Sequence, residues 1–285
     1  MKRGSLVVPL LLLPGVGYLA IFFGLPLGVA LLASVGIGTV GSDASFTLGH
    51  YRELFANSVY RDGLVFSLYL SLAPTIVSLA IAVPLAFALQ ASFPGKRLFQ
   101  TLYKAPLVVP SIVAAFIVMI LFDRGGEMSR ILLPFGLRLP KLVRDEYALG
   151  VIIASAWKSV PFMTLIIAGS VATIPEDMKA AARTLGAGRL TTFRKVELPL
   201  ALPGITAAAL LVFVSSTGAF AVPSLLGPIY PKPLSVWMYE EAFANNHWGI
   251  ASAMGIVMSA VACLVLVAYY RLTTGMRHAF GGETR

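Results

Sequence analysis

Three observations predict an all-α integral membrane protein with six transmembrane helices. Of 285 residues, 58% are hydrophobic and 12% charged, and the mean hydropathy is +0.84. Soluble domains carry about 25% charged residues, so this chain is too poor in charge to cover a soluble globule of its size. The same composition excludes a disordered chain. Six apolar stretches reach the roughly 20 residues that a hydrocarbon core of about 30 Å demands. Finally, the charges fall between those stretches, and Lys158 is the one basic residue placed well inside a span.

The first stretch, 6–35, follows Lys2 and Arg3. It is far longer than the roughly 7–15-residue core of a signal peptide, so it is expected to remain as a span. The others run over 64–91, 102–122, 148–174, 200–226 and 249–270. Prolines within them, such as Pro14, Pro74, Pro84, Pro110, Pro161 and Pro203, are tolerated in a bundle that takes up the freed backbone groups. They either kink helices along a pathway or are ordinary membrane-helix usage. With the N-terminus inside, 13 Lys and Arg face the cytoplasm and eight lie outside, which favours two cytoplasmic termini. The long outside connections, 36–63 and 123–147, are read as loops with short amphipathic pieces such as 131–139. Cys263, the single cysteine, is read as a small buried hydrophobe. The expected organisation is a first helix with its outside loop (1–62), a five-helix core (63–272) and a cytoplasmic tail (273–285).

Residues for covalent chemistry are missing. The chain has no G-x-x-x-x-G-K-[ST] loop, no H-E-x-x-H and no G-x-S-x-G elbow, and His50, His247 and His278 lie far apart. No catalytic, cofactor-binding or metal-binding residue is assigned. Gly24 and Gly28 match G-x-x-x-G, a weak signal where glycine is common.

One cytoplasmic connection is more than a link. Pro175, Glu176 and Asp177 make a good helix start, with proline in the first turn and acids against the helix dipole. Ala180 to Leu185 favour helix, and Gly186 permits a left-handed break. A second short helix is expected, after which Leu198-Pro199 returns the chain to the bilayer. Small residues at Ala181, Ala182 and Gly186 would let another protein approach the backbone closely.

This loop resembles the EAA motif of permease subunits of binding-protein-dependent ABC importers, E-A-A-x3-G-x9-I-x-L-P. Ala181-Ala182, Gly186, nine intervening residues, Val196 in place of Ile and Leu198-Pro199 keep the spacing, while Ala180 replaces the leading Glu. Trp157-Lys158-x-x-Pro161-Phe162 is also typical of such permeases. The resemblance implies a type I importer permease fold, with a helix–Gly–helix loop over about 175–199 docking on an ATPase. Its coupling residues would be Ala181, Ala182, Arg183, Leu185, Gly186, Ala187 and Arg189. The implied partners are two cytoplasmic ATPase subunits, a second permease (identical or homologous), an extracytoplasmic solute-binding protein and the lipid bilayer, with no nucleic acid. ATP and Mg would be bound by the ATPases and no cofactor by this chain, which would be a multi-pass protein of the bacterial inner membrane. Phe220-x-x-Pro223-x-Leu225-Leu226-Gly227, Trp248-Gly249-x-Ala251 and the run from Ala182 to Ala187 are similar to spermidine/putrescine permeases. Relatives carrying ferric iron, sulfate or aminoethylphosphonate form the alternative. A secondary transporter or channel without an ATPase is the alternative class, but neither inverted repeats nor charged midplane sites are found.

Several side chains are candidates for the substrate path. Charged groups inside the bilayer are costly, which makes Lys158 a candidate. It either faces a solute or snorkels or pairs with an acid or carbonyl in the bundle. The pairing is favoured because the Trp-Lys pair resembles a general feature of these permeases, and a lone cation in the path would count against a polyamine substrate. Trp157 accompanies it. Ser215, Ser216 and Thr217 offer hydroxyls to a solute or bond the preceding turn. Glu240 and Glu241, before the last span, receive a cation or are simply solvated.

Overall fold

The computed structural model describes residues 4–38 and 45–280, with side chains over 11–38 and 45–271. The readings placed on Lys2, Arg3 and Arg285 lie outside the described residues. In chain order the helices are α1 (Gly4–Leu19), a π turn (Ala20–Gly24), α2 (Leu25–Ser34), α3 (Gly49–Ala56) and α4 (Ser58–Ala88). Then come α5 (Lys96–Leu102), α6 (Ala105–Val108), α7 (Ser111–Phe122), α8 (Glu127–Leu132) with a 3-10 turn (Leu133–Phe135), and α9 (Leu149–Ala172). Next are α10 (Glu176–Thr184), α11 (Arg189–Thr192), a π turn (Phe193–Glu197), α12 (Leu198–Thr217) and α13 (Ala221–Leu226). The last are α14 (Leu234–Tyr239), a π turn (Glu240–Ala244) and α15 (Trp248–Phe280). No strand forms among the described residues.

Five continuous stretches are long and apolar enough to cross a membrane: Leu11–Ser34, Ser58–Ala88, Leu149–Ala172, Arg189–Thr217 and Trp248–Arg271. The sixth expected span is broken, with Lys96–Val108 and Ser111–Phe135 meeting at 103°. The twelve residues of α7 rise only about 18 Å, too little to cross alone. The break falls at Val109-Pro110, where proline forces the preceding residue into an extended conformation, with Val109 at φ −75° and ψ 124°. The other large departure is at 200–226, which was expected as one span. There α12 stops at Thr217, and α13 resumes at Ala221.

Pro74 and Pro84 lie inside an unbroken α4, Pro161 inside α9 and Pro203 inside α12. Two of the π turns immediately precede a proline, at Leu25-Pro26 and Leu198-Pro199. The missing proline N–H leaves a carbonyl free, and the wider turn accommodates it. Because the second π turn joins α11 to α12, no separate short helix precedes the span as the sequence had suggested.

The chain divides into two compact units that differ from the expected boundaries. One takes in the described parts of Met1–Arg61 together with Trp237–Ala260, and the other Asp62–Val236 together with the described part of Val261–Arg285. Helix α15 runs to Phe280, through residues that the sequence assigned to a tail.

In the first unit, the first span buries only 6% of its most apolar window, so its side chains are left for lipid. The Ser34 hydroxyl donates to the Leu31 carbonyl at 2.7 Å and shares a 2.8 Å hydrogen bond with the Tyr51 hydroxyl. Gly24 and Gly28 meet nothing within 4 Å.

The second unit holds two apolar clusters. One gathers Phe66, Leu70, Val118, Val151, Val222 and Leu226, and the other Met163, Ile167, Val171, Ile205, Ala208 and Val212. The second cluster joins α9 to α12, where Gly204 lets the backbones close. A Cβ on Gly204 would lie 2.2 Å from the Cβ of Ser170. Cys263, expected to be buried, is exposed on α15, where lipid can cover it.

Candidate functional site

The loop between the fourth and fifth spans folds as a helix followed by a tight turn. Pro175 is extended, Glu176 and Asp177 lie in the first turn of α10, and Lys179 pairs with Glu176 at 2.8 Å. Its hydrogen bond and charge hold the Glu176 carboxyl below its ordinary range. Gly186 ends the helix at φ +82°, with the Ala187 N–H on the Ala182 carbonyl at 3.0 Å and the Gly186 N–H on the Arg183 carbonyl at 2.9 Å. These two bonds form a Schellman motif, which needs a left-handed residue and so favours glycine.

Ala181, Arg183, Leu185, Gly186 and Arg189 are exposed, and Ala182 and Ala187 are half-buried. Leu185, at 88% exposure, projects from the turn, and the space around Gly186 is open. The structure therefore brings all seven candidate residues of this loop onto one small projection.

A second feature lies where α12 stops. Ser216 and Thr217, with Ser67, Ser155 and Ser235, line a cavity of about 10 Å³, room for one water. Ser67 donates to the Gly63 carbonyl at 2.8 Å and accepts from the Leu234 N–H at 2.7 Å. Ser235 donates to the Ala219 carbonyl, freed by the break, at 2.7 Å. Thr217 bonds the Phe213 carbonyl in its preceding turn at 2.9 Å. Ser215 is exposed and does not line the cavity.

Lys158 donates its ammonium to the Val109 carbonyl at the break between α6 and α7. That carbonyl has lost its helical partner, and a buried backbone acceptor left unpaired in a bilayer is costly. Trp157 is 40% exposed beside it. Glu240 and Glu241 belong to the other compact unit. Glu241 is only 4% exposed and accepts from the Tyr60 hydroxyl at 2.9 Å and from His247 Nδ1 at 3.0 Å, so it is neither solvated nor open to a solute. Burial pushes its carboxyl up, but hydrogen bonds from Tyr60, His247 and Asn245 outweigh it and leave the group below the usual carboxylate range.

Sequence reasoning missed Ser67, Ser155, Ser235 and Asp145. Ser67, Ser71, Thr75 and Ser78 recur at helical spacing and are all buried on α4, a pattern the sequence displays. Asp145 accepts from the Leu149 N–H at 2.9 Å and starts α9, while its other oxygen is buried with no partner among the described residues.

Residues 78–278 match the family described as binding-protein-dependent transport system inner membrane component. The match covers more than half of the chain, and the protein belongs to that family. The spermidine/putrescine transport system permease protein PotB of Haemophilus influenzae is 29% identical over 79% of each chain. The Escherichia coli protein of the same name is 29% identical, covering 90% of this chain and 94% of its own. The trehalose transport system permease protein SugA of Mycobacterium tuberculosis is 26% identical over 90% and 85%. Among solved structures, a bacterial ABC transporter that imports alginate superposes with a TM-score of 0.81 at 18% identity, covering 99% of this chain and 98% of that one. The MetNI methionine transporter gives 0.61 at 18% identity, over 76% and 95%. The chain is thus an ABC importer permease, a transport subunit and not an enzyme.

Proposed function

We propose that this permease carries a polyamine such as spermidine or putrescine, forms half of a translocation pathway with a second permease, and is driven by two cytoplasmic ATPases. The observation that carries the polyamine reading is the pair of spermidine/putrescine relatives matching most of both chains. The Lys158 ammonium donates to the Val109 carbonyl, which fixes its position but leaves its positive charge in place. The projection around Leu185 and Gly186 supports docking of the ATPase, since its apolar tip has no cover in this chain. ATP and Mg then belong to the ATPase, the loop and both termini lie in the cytoplasm, and an extracytoplasmic binding protein delivers the solute. Half-buried Ser216 at the α12 break keeps a place on the proposed solute path, whereas Thr217 is buried with its hydroxyl bonded in its own turn. The trehalose relative gives a second reading, a sugar substrate.

The test is ATP-dependent uptake by vesicles holding this chain with its partner permease, ATPase and binding protein. Spermidine uptake that vanishes without hydrolysable ATP is expected. Trehalose uptake without spermidine uptake would overturn the polyamine reading, and gradient-driven uptake by this chain alone would overturn the ATPase requirement.

A further inference from the structure

The connection after α7 carries a feature that transport does not explain. Between Phe122 and Pro140 lies a cleft of about 290 Å³. Its walls include the apolar side chains of Phe122, Leu133, Leu137 and Leu139, together with Arg124 and Arg138. Asp123 is the one acid lining it, and one of its oxygens is taken by the Arg124 N–H at 2.8 Å. Neither guanidinium forms an ion pair or hydrogen bond among the described residues. By contrast, nearby Arg130, outside the lining, is paired with Glu127 at 3.2 Å. The same segment leaves Ile131, Leu133, Phe135 and Leu137 between 57% and 76% exposed. Such a row is unfavourable in water and favourable at a bilayer surface, and the segment begins where the apolar α7 ends.

We infer that this cleft binds the phosphate headgroup of an anionic phospholipid. Arg124 and Arg138 would hold the phosphate through charge-assisted hydrogen bonds, and the exposed apolar row would lie along the acyl chains. The net positive charge of the lining selects an anionic lipid, and its apolar half selects a lipid over a free anion.

The full-length permease in mixed micelles is tested by native mass spectrometry with phosphatidylglycerol and phosphatidylcholine at equal concentrations. Preferential retention of phosphatidylglycerol is expected, falling about a hundredfold in Arg124→Gln/Arg138→Gln, the loss of two such interactions at about tenfold each. Arg130→Gln should keep the preference, and Arg124→Lys/Arg138→Lys, which preserves charge, should keep much of it. The lysine pair also serves if the glutamine pair fails to fold. Equal retention of the two lipids by the parent, or an undiminished preference in the glutamine pair, would overturn the proposal. So would displacement of the lipid by millimolar glycerol phosphate, which would make the cleft a site for soluble anions.

Discussion

Lys158 shows how one side chain can make a helix break tolerable. Its ammonium donates to the Val109 carbonyl across 49 residues of sequence, the pairing with a carbonyl that the sequence favours over a solute contact. Lys158→Met should destabilise the permease by about 1 kcal/mol, the cost of leaving a half-buried acceptor unpaired, while Lys158→Arg should lose less. Thermal unfolding in detergent measures both, and equal stability of Lys158→Met and parent would refute the role. Glu241 gives a pH dependence with a definite sign. Its folded pKa is depressed below 4.5, so its contribution is fully present above that value and is lost as pH falls through the folded pKa. Melting temperature should therefore fall more steeply in the parent than in Glu241→Gln as pH drops below about 4.5.

At the scale of elements, two glycines do different work. Gly204→Ala would press a Cβ into Ser170 in the contact between α9 and α12. A loss of about 1–3 kcal/mol is expected, recovered largely by adding Ser170→Gly. Gly186→Val meets no atom of this chain, so its cost is the left-handed backbone, roughly 1–2 kcal/mol, confined to an exposed turn. The permease should insert at normal abundance yet lose co-purifying ATPase and uptake. Normal assembly with normal uptake would show that this loop does not couple the two proteins.

The loop was legible because its signals are local: proline and acids start the helix, and one glycine ends it. The break at Pro110 was not, since Pro74, Pro84, Pro161 and Pro203 sit in continuous helices and proline alone does not decide. What distinguishes Pro110 is a partner on another helix. The π turn that fuses α11 to α12 also depends on how the backbone redistributes its bonds around Pro199, which no spacing rule displays.

For the molecule as a whole, topology is the most direct test of the orientation assigned from charge. Reporter fusions after Arg97, Arg189 and Arg285 should read cytoplasmic, and one after Lys141 external. An external signal at Arg189 would remove the loop from the ATPase side. Because α11, the π turn and α12 are one helix, Arg189–Thr217 is a single rod of 29 residues, about 43 Å long. One end stands beside the Gly186 turn, and the other stops at the cavity lined by Ser216 and Thr217. A rod that long works as a lever: a tilt of about 10° about its midpoint carries each tip about 4 Å, in opposite directions. Under the proposed docking of an ATPase on that turn, a push there would need no relay of side chains to be felt at the hydroxyls.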